Sequence, residues 1–209
     1  PGGRWASMEE RVCVANQATQ PDQIIASLRD PNPRVFAVVL ENPGLSPREL
    51  LAAIPSMDKP RVEKLAAHAT WGENLPVREA LLHNIHLTKA TALALLRTLN
   101  SPRALLDVLR DPRIPHLEVK EEALEALRTL YLAMDGQQRI LALRSNGGDL
   151  LRHLPQEILK DEATLQQLIS DRQLDPSILL RLARNKLTPR SILGRIAAHP
   201  ILMAHPAIM

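Results

Sequence analysis

Apolar side chains recur in this chain at three- and four-residue steps within short segments, and polar residues and prolines separate the segments. Such spacing places the apolar positions on one face of an α-helix. Because the apolar residues are mostly Leu, Ile, Val and Ala, with few β-branched or aromatic runs, they also favour helices. The pattern predicts helices near 22–29, 33–41, 47–54, 60–68, 76–84, 88–99, 102–109, 117–134, 137–144, 155–160, 162–170, 176–184, 189–197 and 200–208.

A proline-led motif, P-x-x-[IL]-[IL], begins many of these segments. It occurs at Pro21, Pro47, Pro102, Pro155, Pro176 and Pro189. Proline suits the first helical position because its missing N–H would have no intrahelical partner there. Residues that can cap a helix N-terminus stand before several segments, namely Ser46, Thr88, Ser101, Asp175 and Thr188. Ser46 and Glu49 also have the spacing of a capping box.

Asparagine marks the opposite ends of two segments. Asn42 and Asn84 suit helix C-termini because asparagine tolerates the left-handed backbone conformation, and Pro43 prevents the preceding helix from continuing. We therefore assign structural cap roles to Asp30, Asn42, Ser46, Asn84, Thr88, Ser101, Asp175 and Thr188.

Short helices with one apolar face must stack on their neighbours, which predicts an all-α fold in which the helices form a solenoid. The longest predicted helix is 117–134, and the regular pattern lapses over 135–154. Glycines interrupt that segment at Gly136 and at the pair Gly147 and Gly148, so we expect a hinge or an irregular repeat there.

One stretch, residues 27–54, reads SLRDPNPRVFAVVLENPGLSPRELLAAI and resembles the leucine-rich repeat variant unit. The matching positions are Asp30, Pro31, Pro33, Val35, Asn42, Pro43, Pro47, Leu50, Leu51 and Ile54, while Phe36 stands where that unit usually has arginine. Weaker copies cover 76–96 and 175–209, and the HEAT-like and armadillo-like repeats are the next neighbours. The resemblance implies short helices in a right-handed α-α superhelix and a binding rather than a catalytic role. Members of the family can carry a cysteine cluster for an iron–sulfur centre, and this chain departs from that pattern because Cys13 is its only cysteine.

Composition narrows the class of protein further. The 209 residues include 17 prolines, only 2% aromatic residues and a single cysteine, which excludes an internal disulfide and a cysteine-built metal site. The longest apolar run, 35–40, is too short to cross a bilayer, and no signal peptide is evident, so we expect a cytoplasmic protein with no membrane contact. We interpret residues 1–7, ahead of Met8, as a remnant of cloning and 8–209 as a single α-solenoid domain.

Charge is distributed unevenly along the chain. Residues 171–209 carry 6 basic and 2 acidic side chains, although the whole chain has a net charge of only +3. The candidate interaction surface consists of Arg181, Arg184, Lys186, Arg190 and Arg195. Such a surface suits an acidic partner, or the backbone of a nucleic acid duplex, and a solvated positive face is an equally simple interpretation.

Catalytic and metal sites find little support in the pattern. His83 and His86 have a spacing that a helix could use for a metal, but Asn84 ends the predicted helix between them. The serines at helix starts are explained by capping, and no G-x-S-x-G motif or phosphate-binding glycine motif is present. We predict no catalytic residue, no metal and no cofactor.

These observations favour a non-enzymatic helical-repeat scaffold that binds another protein through its curved surface. One alternative is a nucleic-acid-associated HEAT-like protein that uses the basic C-terminal repeats, and a second is a HEAT-like enzyme or cofactor-handling scaffold. The partner and the oligomeric state are left open.

Overall fold

A computed structural model describes residues 7–114, 116–154, 161–171 and 174–203 of the chain. All regular structure in these ranges is helical, and no strand occurs in them. The α-helices are α1 Met8–Gln17, α2 Pro21–Leu28, α3 Pro33–Leu40, α4 Pro47–Ala53, α5 Lys59–Ala66, α6 Leu75–Leu82, α7 Lys89–Leu96, α8 Pro102–Arg110, α9 Leu117–Ala133, α10 Gly136–His153, α11 Glu162–Ile169, α12 Pro176–Arg184, α13 Arg190–Ala197 and α14 Pro200–Met203. A 3₁₀-helix, Ile54–Ser56, follows α4 directly.

The all-helical class predicted from the apolar pattern is confirmed, and α2 to α9 and α11 to α13 lie within a few residues of their predicted positions. The predicted helix 155–160 and the end of the predicted helix 200–208 lie outside the described residues. One helix, α1, was not predicted. It buries Ala15 and leaves Val14 half exposed, so its sequence lacks the apolar stripe that marks the other helices.

The chain divides into two compact units. The first comprises Pro1–Leu99 and Asp111–Val119, and the second comprises Asn100–Arg110 and Lys120–Met209. In the first unit α1 packs on α2 and α3, α2 packs on α3 and α4, α4 packs on the 3₁₀-helix and α6, and α5 packs on α6 and α7. In the second unit α10 packs on α8, α11 and α12, α11 packs on α13, and α13 also contacts α12 and α14. In both units a helix therefore contacts the next helix and the next but one.

Aliphatic side chains fill the core of each unit. Leu28, Leu50 and Leu81 are fully buried in the first unit, as are Leu105 and Leu127 in the second. Each such leucine stabilises the fold by about 1.5–3 kcal/mol relative to an exposed position. Two of the few aromatic residues, Phe36 in the first unit and Tyr131 in the second, are also buried, and aliphatic side chains make up the rest of the two cores.

Helix starts follow the expected capping chemistry at several positions. The Ser46 hydroxyl accepts the Arg48 N–H, and the Glu49 carboxylate accepts the Ser46 N–H in return, which forms a capping box at α4. Side-chain oxygens of Thr88, Ser101 and Asp175 likewise accept N–H groups in the first turns of α7, α8 and α12. Asp30 acts differently: its carboxylate accepts the Asn32 N–H, and Asn32 is the residue that caps α3.

Thr188 does not cap the N-terminus of α13, so that expectation is wrong. Pro189 is the residue that precedes α13, and it offers no side-chain cap. The buried Thr188 hydroxyl instead donates to the Leu182 carbonyl at 2.7 Å. It is therefore a second donor to a carbonyl at the end of α12, which also accepts the Asn185 N–H at 3.1 Å.

The expected reason for asparagine at helix ends is also wrong, because no non-glycine residue in the described ranges has a positive φ. Asn42 is buried, and its amide donates to the carbonyls of Ala15, Asn16 and Ala18 at 2.7, 3.2 and 3.1 Å. Its side-chain oxygen accepts the Gly44 N–H at 2.7 Å. The Asn42 side chain thus closes a turn in its own segment and also caps carbonyls at the end of α1.

Asn84 forms the same arrangement further along the first unit, after α6. Its amide donates to the carbonyls of Ile54 and Met57 at 2.6 and 3.2 Å, at the end of the 3₁₀-helix. Its side-chain oxygen accepts the His86 N–H at 2.8 Å. Both asparagines are buried and reach back 24–30 residues, so the same residue joins successive helices in the same way.

The segment 135–154 contains a kink at one of the glycines that the sequence indicated. It forms α10, whose backbone leaves the helical conformation only at Gly147, with φ 63° and ψ −161°. Only glycine adopts this conformation without strain. The expected irregularity is therefore confined to one residue inside an otherwise helical segment.

Candidate anion-binding cleft

Three helices of the second unit bring four arginines to one cleft. Arg128 lies on α9, Arg152 near the end of α10, and Arg181 and Arg184 on successive turns of α12. The cleft has a volume of about 690 Å³. This volume is within the range of pockets that hold small molecules, roughly 300–1,000 Å³.

Leucines from α10 and α12 complete the lining of the cleft. Leu154 and Leu182 are buried, while Leu151 and Leu180 are partly exposed. Ser177 and Asn185 add a hydroxyl and an amide. The cleft therefore offers both aliphatic surface and positive charge to an occupant.

The two glycines of α10 allow α12 to approach closely. A Cβ atom at Gly148 would lie 2.8 Å from the Arg181 Cδ and 2.9 Å from the Ser177 carbonyl oxygen. The Gly148 N–H donates to the Ser177 hydroxyl at 3.1 Å. The break at Gly147 thus brings the start of α12 against α10 and places Arg181 beside it.

Arg181 and Arg128 are held by contacts within the protein. The Arg181 guanidinium donates to the Asp149 carboxylate at 3.1 Å, and Arg110 donates to the other oxygen of Asp149 at 2.9 Å. Arg128 donates to the His153 carbonyl at 3.2 Å. Fixed guanidinium groups lose less conformational entropy when they bind a ligand.

The charge of Arg128 is only weakly compensated. Arg128 pairs with Glu125, whose carboxylate is 4.0 Å away and whose side chain is 73% exposed, so this ion pair contributes little. Arg152 and Arg184 are exposed, and neither forms an ion pair with any residue that the structure describes. These two guanidinium groups are available to an anionic partner.

His153 lies beside the positively charged arginines of the cleft. Burial is the main cause that lowers its pKa, and the positive charge of Arg152 lowers it further. The imidazole is therefore neutral at pH 7, and the positive charge of the cleft comes from its arginines.

The structure divides the basic residues that the sequence indicated. Arg181 and Arg184 line the cleft, whereas Lys186, Arg190 and Arg195 are exposed and do not. The Arg195 guanidinium donates to the Ser170 hydroxyl at 3.1 Å.

Two arginines of the cleft, Arg128 and Arg152, were missed in the sequence. Arg152 fell in the segment that was expected to be irregular, so no helical face could be assigned to it. Arg128 precedes α12 by almost fifty positions, and only the packing of the second unit brings it to the cleft.

The turn that leads into the N-terminus of α4, within residues 41–50, has its backbone N–H donors already occupied. The N–H groups of Gly44, Ser46 and Arg48 are bonded to Asn42, Glu49 and Ser46. A phosphate would have to displace these internal bonds, so this turn is a structural joint between α3 and α4.

The histidines of the first unit do not lie in a metal cluster. Asp111 accepts a hydrogen bond from the His83 Nδ1 at 2.6 Å, and the Arg113 guanidinium donates to both Asp111 oxygens. No group of three or more His, Cys, Asp or Glu side chains among the described residues has the arrangement of a metal site.

None of the helices in the described ranges has the length and apolar character needed to cross a bilayer. Comparisons with protein-family models, with curated proteins and with solved structures found no match to this chain.

Proposed function

We propose that this protein is a non-enzymatic helical-repeat scaffold that binds another protein, and that the arginine cleft of the second unit is a contact site. Its helices would form a right-handed α-solenoid of the leucine-rich repeat variant or HEAT-like kind. Surfaces of such stacked helices commonly serve as extended binding sites. The cytoplasm is the compartment that we expect.

Support for the repeat arrangement comes from contacts at a recurring separation. Asn84 bonds to Ile54 across 30 residues, His83 to Asp111 across 28, and Gly148 to Ser177 across 29. Lys89 and Glu118 are also 29 residues apart. Other long-range hydrogen bonds span 19 to 39 residues, but a separation of 28–30 recurs in both units, as stacked repeats of one length would produce.

The observation that carries the proposal is the combined chemistry of the cleft. Arginines are enriched at protein interfaces because the guanidinium group offers a planar set of donors and stacks on other groups. Four arginines line the cleft together with leucine side chains, which supply apolar contact area. Protein interfaces combine arginine with apolar area in this way.

A nucleic acid is the second candidate partner. The exposed Lys186 and Arg190 and the four cleft arginines favour it, since basic side chains neutralise phosphates. Its affinity would fall steeply with salt.

Affinity capture from native lysate, with and without nuclease, tests the proposal. We expect a protein that is still retained after nuclease treatment and that binds again when both components are purified. Retention that disappears with nuclease would contradict the proposal and favour the second candidate. Failure to retain any protein at physiological salt would also count against it.

A further inference from the structure

We infer that the arginine cleft recognises a short acidic segment that also carries a leucine-like side chain. This inference rests on the proposed function and names the chemistry of the partner at that site.

The four guanidinium groups of the cleft differ in the contacts that they make within the protein. Arg181 is bonded to Asp149 and Arg128 to the His153 carbonyl, so both are fixed before any partner arrives. Arg152 and Arg184 have no ion pair with any described residue and are exposed. A carboxylate can accept two parallel hydrogen bonds from one guanidinium, which makes Arg152 and Arg184 suitable for two acidic side chains.

The cleft also has an apolar lining. Leu151 and Leu180 line the cleft and are partly exposed, whereas Leu154 and Leu182 line it and are buried. A leucine-sized side chain placed on this surface would remove apolar area from water, which stabilises the complex. The occupant therefore needs an aliphatic group as well as negative charge.

The lining of the cleft favours an acidic peptide over a nucleic acid. No aromatic ring is found among the described residues that line the cleft, and single-stranded nucleic acids bind most strongly where bases stack on such rings. Asp149 and Glu125 also lie at the cleft arginines, where they would repel the continuous negative charge of a phosphate backbone. A segment with separated carboxylates can avoid these two groups, so the observations favour the peptide.

Fluorescence anisotropy with defined probes tests this inference at physiological salt. The probe is a labelled peptide, Glu-Glu-Leu-Leu-Glu-Glu, and the comparison probes replace its leucines with alanine or its glutamates with lysine. A single-stranded oligonucleotide of equal charge is the fourth probe. We expect saturable binding of the first peptide, weaker binding of the alanine peptide and none of the lysine peptide.

Matched variants assign the binding to the cleft. R152A/R184A should weaken the affinity for the peptide by about tenfold or more, because both charge-assisted contacts are lost. R190A/R195A removes the same charge outside the cleft and should leave the affinity within about twofold. R152K/R184K keeps the charge but not the forked geometry, so it should give an intermediate affinity. Circular dichroism checks that all three variants keep their helices.

Two results would overturn the inference. One is a peptide affinity that R152A/R184A leaves unchanged or that does not depend on leucine, and the other is tighter, cleft-dependent binding of the oligonucleotide. If the peptide does not bind although lysate capture yields a nuclease-resistant protein partner, this inference fails and the proposed function stands.

Discussion

At the scale of single residues, several helices are followed by a polar residue whose side chain forms two kinds of hydrogen bond. Its oxygen accepts the N–H two residues later, as Asn42 and Asn84 do in the first unit. At Asn42 and Asn84, which are buried, the amide also donates to carbonyls of an earlier helix. Where the residue is aspartate, an earlier basic side chain donates to it instead: Arg11 to Asp30 and His83 to Asp111.

The first prediction tests the amide of Asn84. Asn84→Asp keeps the acceptor for His86 but removes both donors to Ile54 and Met57 and buries a charge. We expect the free energy of unfolding to fall by about 2–4 kcal/mol in urea denaturation.

Asn185→Asp is the matched control for this change. Asn185 is partly exposed and its side-chain oxygen accepts the Leu187 N–H, a bond that a carboxylate keeps. We expect a loss below about 1 kcal/mol, from the unfavourable charge near a helix C-terminus. Equal losses in the two variants would show that the amide of Asn84 does not stabilise the fold.

The second prediction concerns the acid stability of the first unit. Hydrogen bonds from the Arg113 guanidinium are the main cause of a pKa for Asp111 well below its usual range, and the Arg113 N–H and His83 add to them, while burial acts in the opposite direction. Because the folded pKa lies below the unfolded value of about 3.9, the carboxylate stabilises the fold fully above that value. This contribution is lost as the pH falls towards the folded pKa.

Urea denaturation at several pH values checks the Asp111 prediction. Between about pH 5 and pH 2 the free energy of unfolding should fall less in Asp111→Asn than in the unmodified protein, because the amide does not titrate. Parallel pH profiles for the two proteins would refute the role of Asp111.

At the scale of secondary-structure elements, the break in α10 brings two helices of the second unit together. Gly147 provides a backbone conformation that other residues rarely adopt, and Gly148 leaves room for Arg181 and the Ser177 carbonyl. The contact between α10 and α12 therefore depends on two small residues that the sequence pattern suggested were only an interruption.

The third prediction compares glycines on two helices. Gly148→Ala should destabilise the second unit by about 1–3 kcal/mol, because the added methyl group meets backbone at 2.9 Å. Gly194→Ala should stabilise α13 by about 0.5–1 kcal/mol, because a Cβ atom there meets nothing within 4 Å and alanine favours helix. Thermal denaturation measures both changes. An unchanged melting temperature in Gly148→Ala would contradict the tight packing of α10 on α12.

At the scale of the whole molecule, helix positions could be predicted because capping and apolar spacing are local. Pro47 with Ser46 identified the start of α4 correctly. Thr188 was assigned to the wrong helix end, because its hydroxyl donates back to Leu182, six residues earlier, instead of accepting from α13. The actual role of Asn42 could not be predicted, since its partner Ala15 lies 27 residues earlier and meets it only once the helices pack. The same limit applies to the candidate site.

The cleft itself illustrates that limit. Arg181 and Arg184 lie one turn apart on one helix, so a short pattern placed them on a shared face. Arg128 and Arg152 come from two other helices, and their meeting with α12 depends on tertiary packing. A local pattern thus identified half of the four arginines and added three basic residues that lie elsewhere.

The central claim is that the arginine cleft of the second unit engages a protein partner. Its most direct test is a calorimetric titration of the captured, purified partner into the unmodified protein, R152A/R184A and R190A/R195A. We predict an affinity at least about tenfold weaker for R152A/R184A and unchanged for R190A/R195A. Equal affinities for all three proteins would contradict the claim.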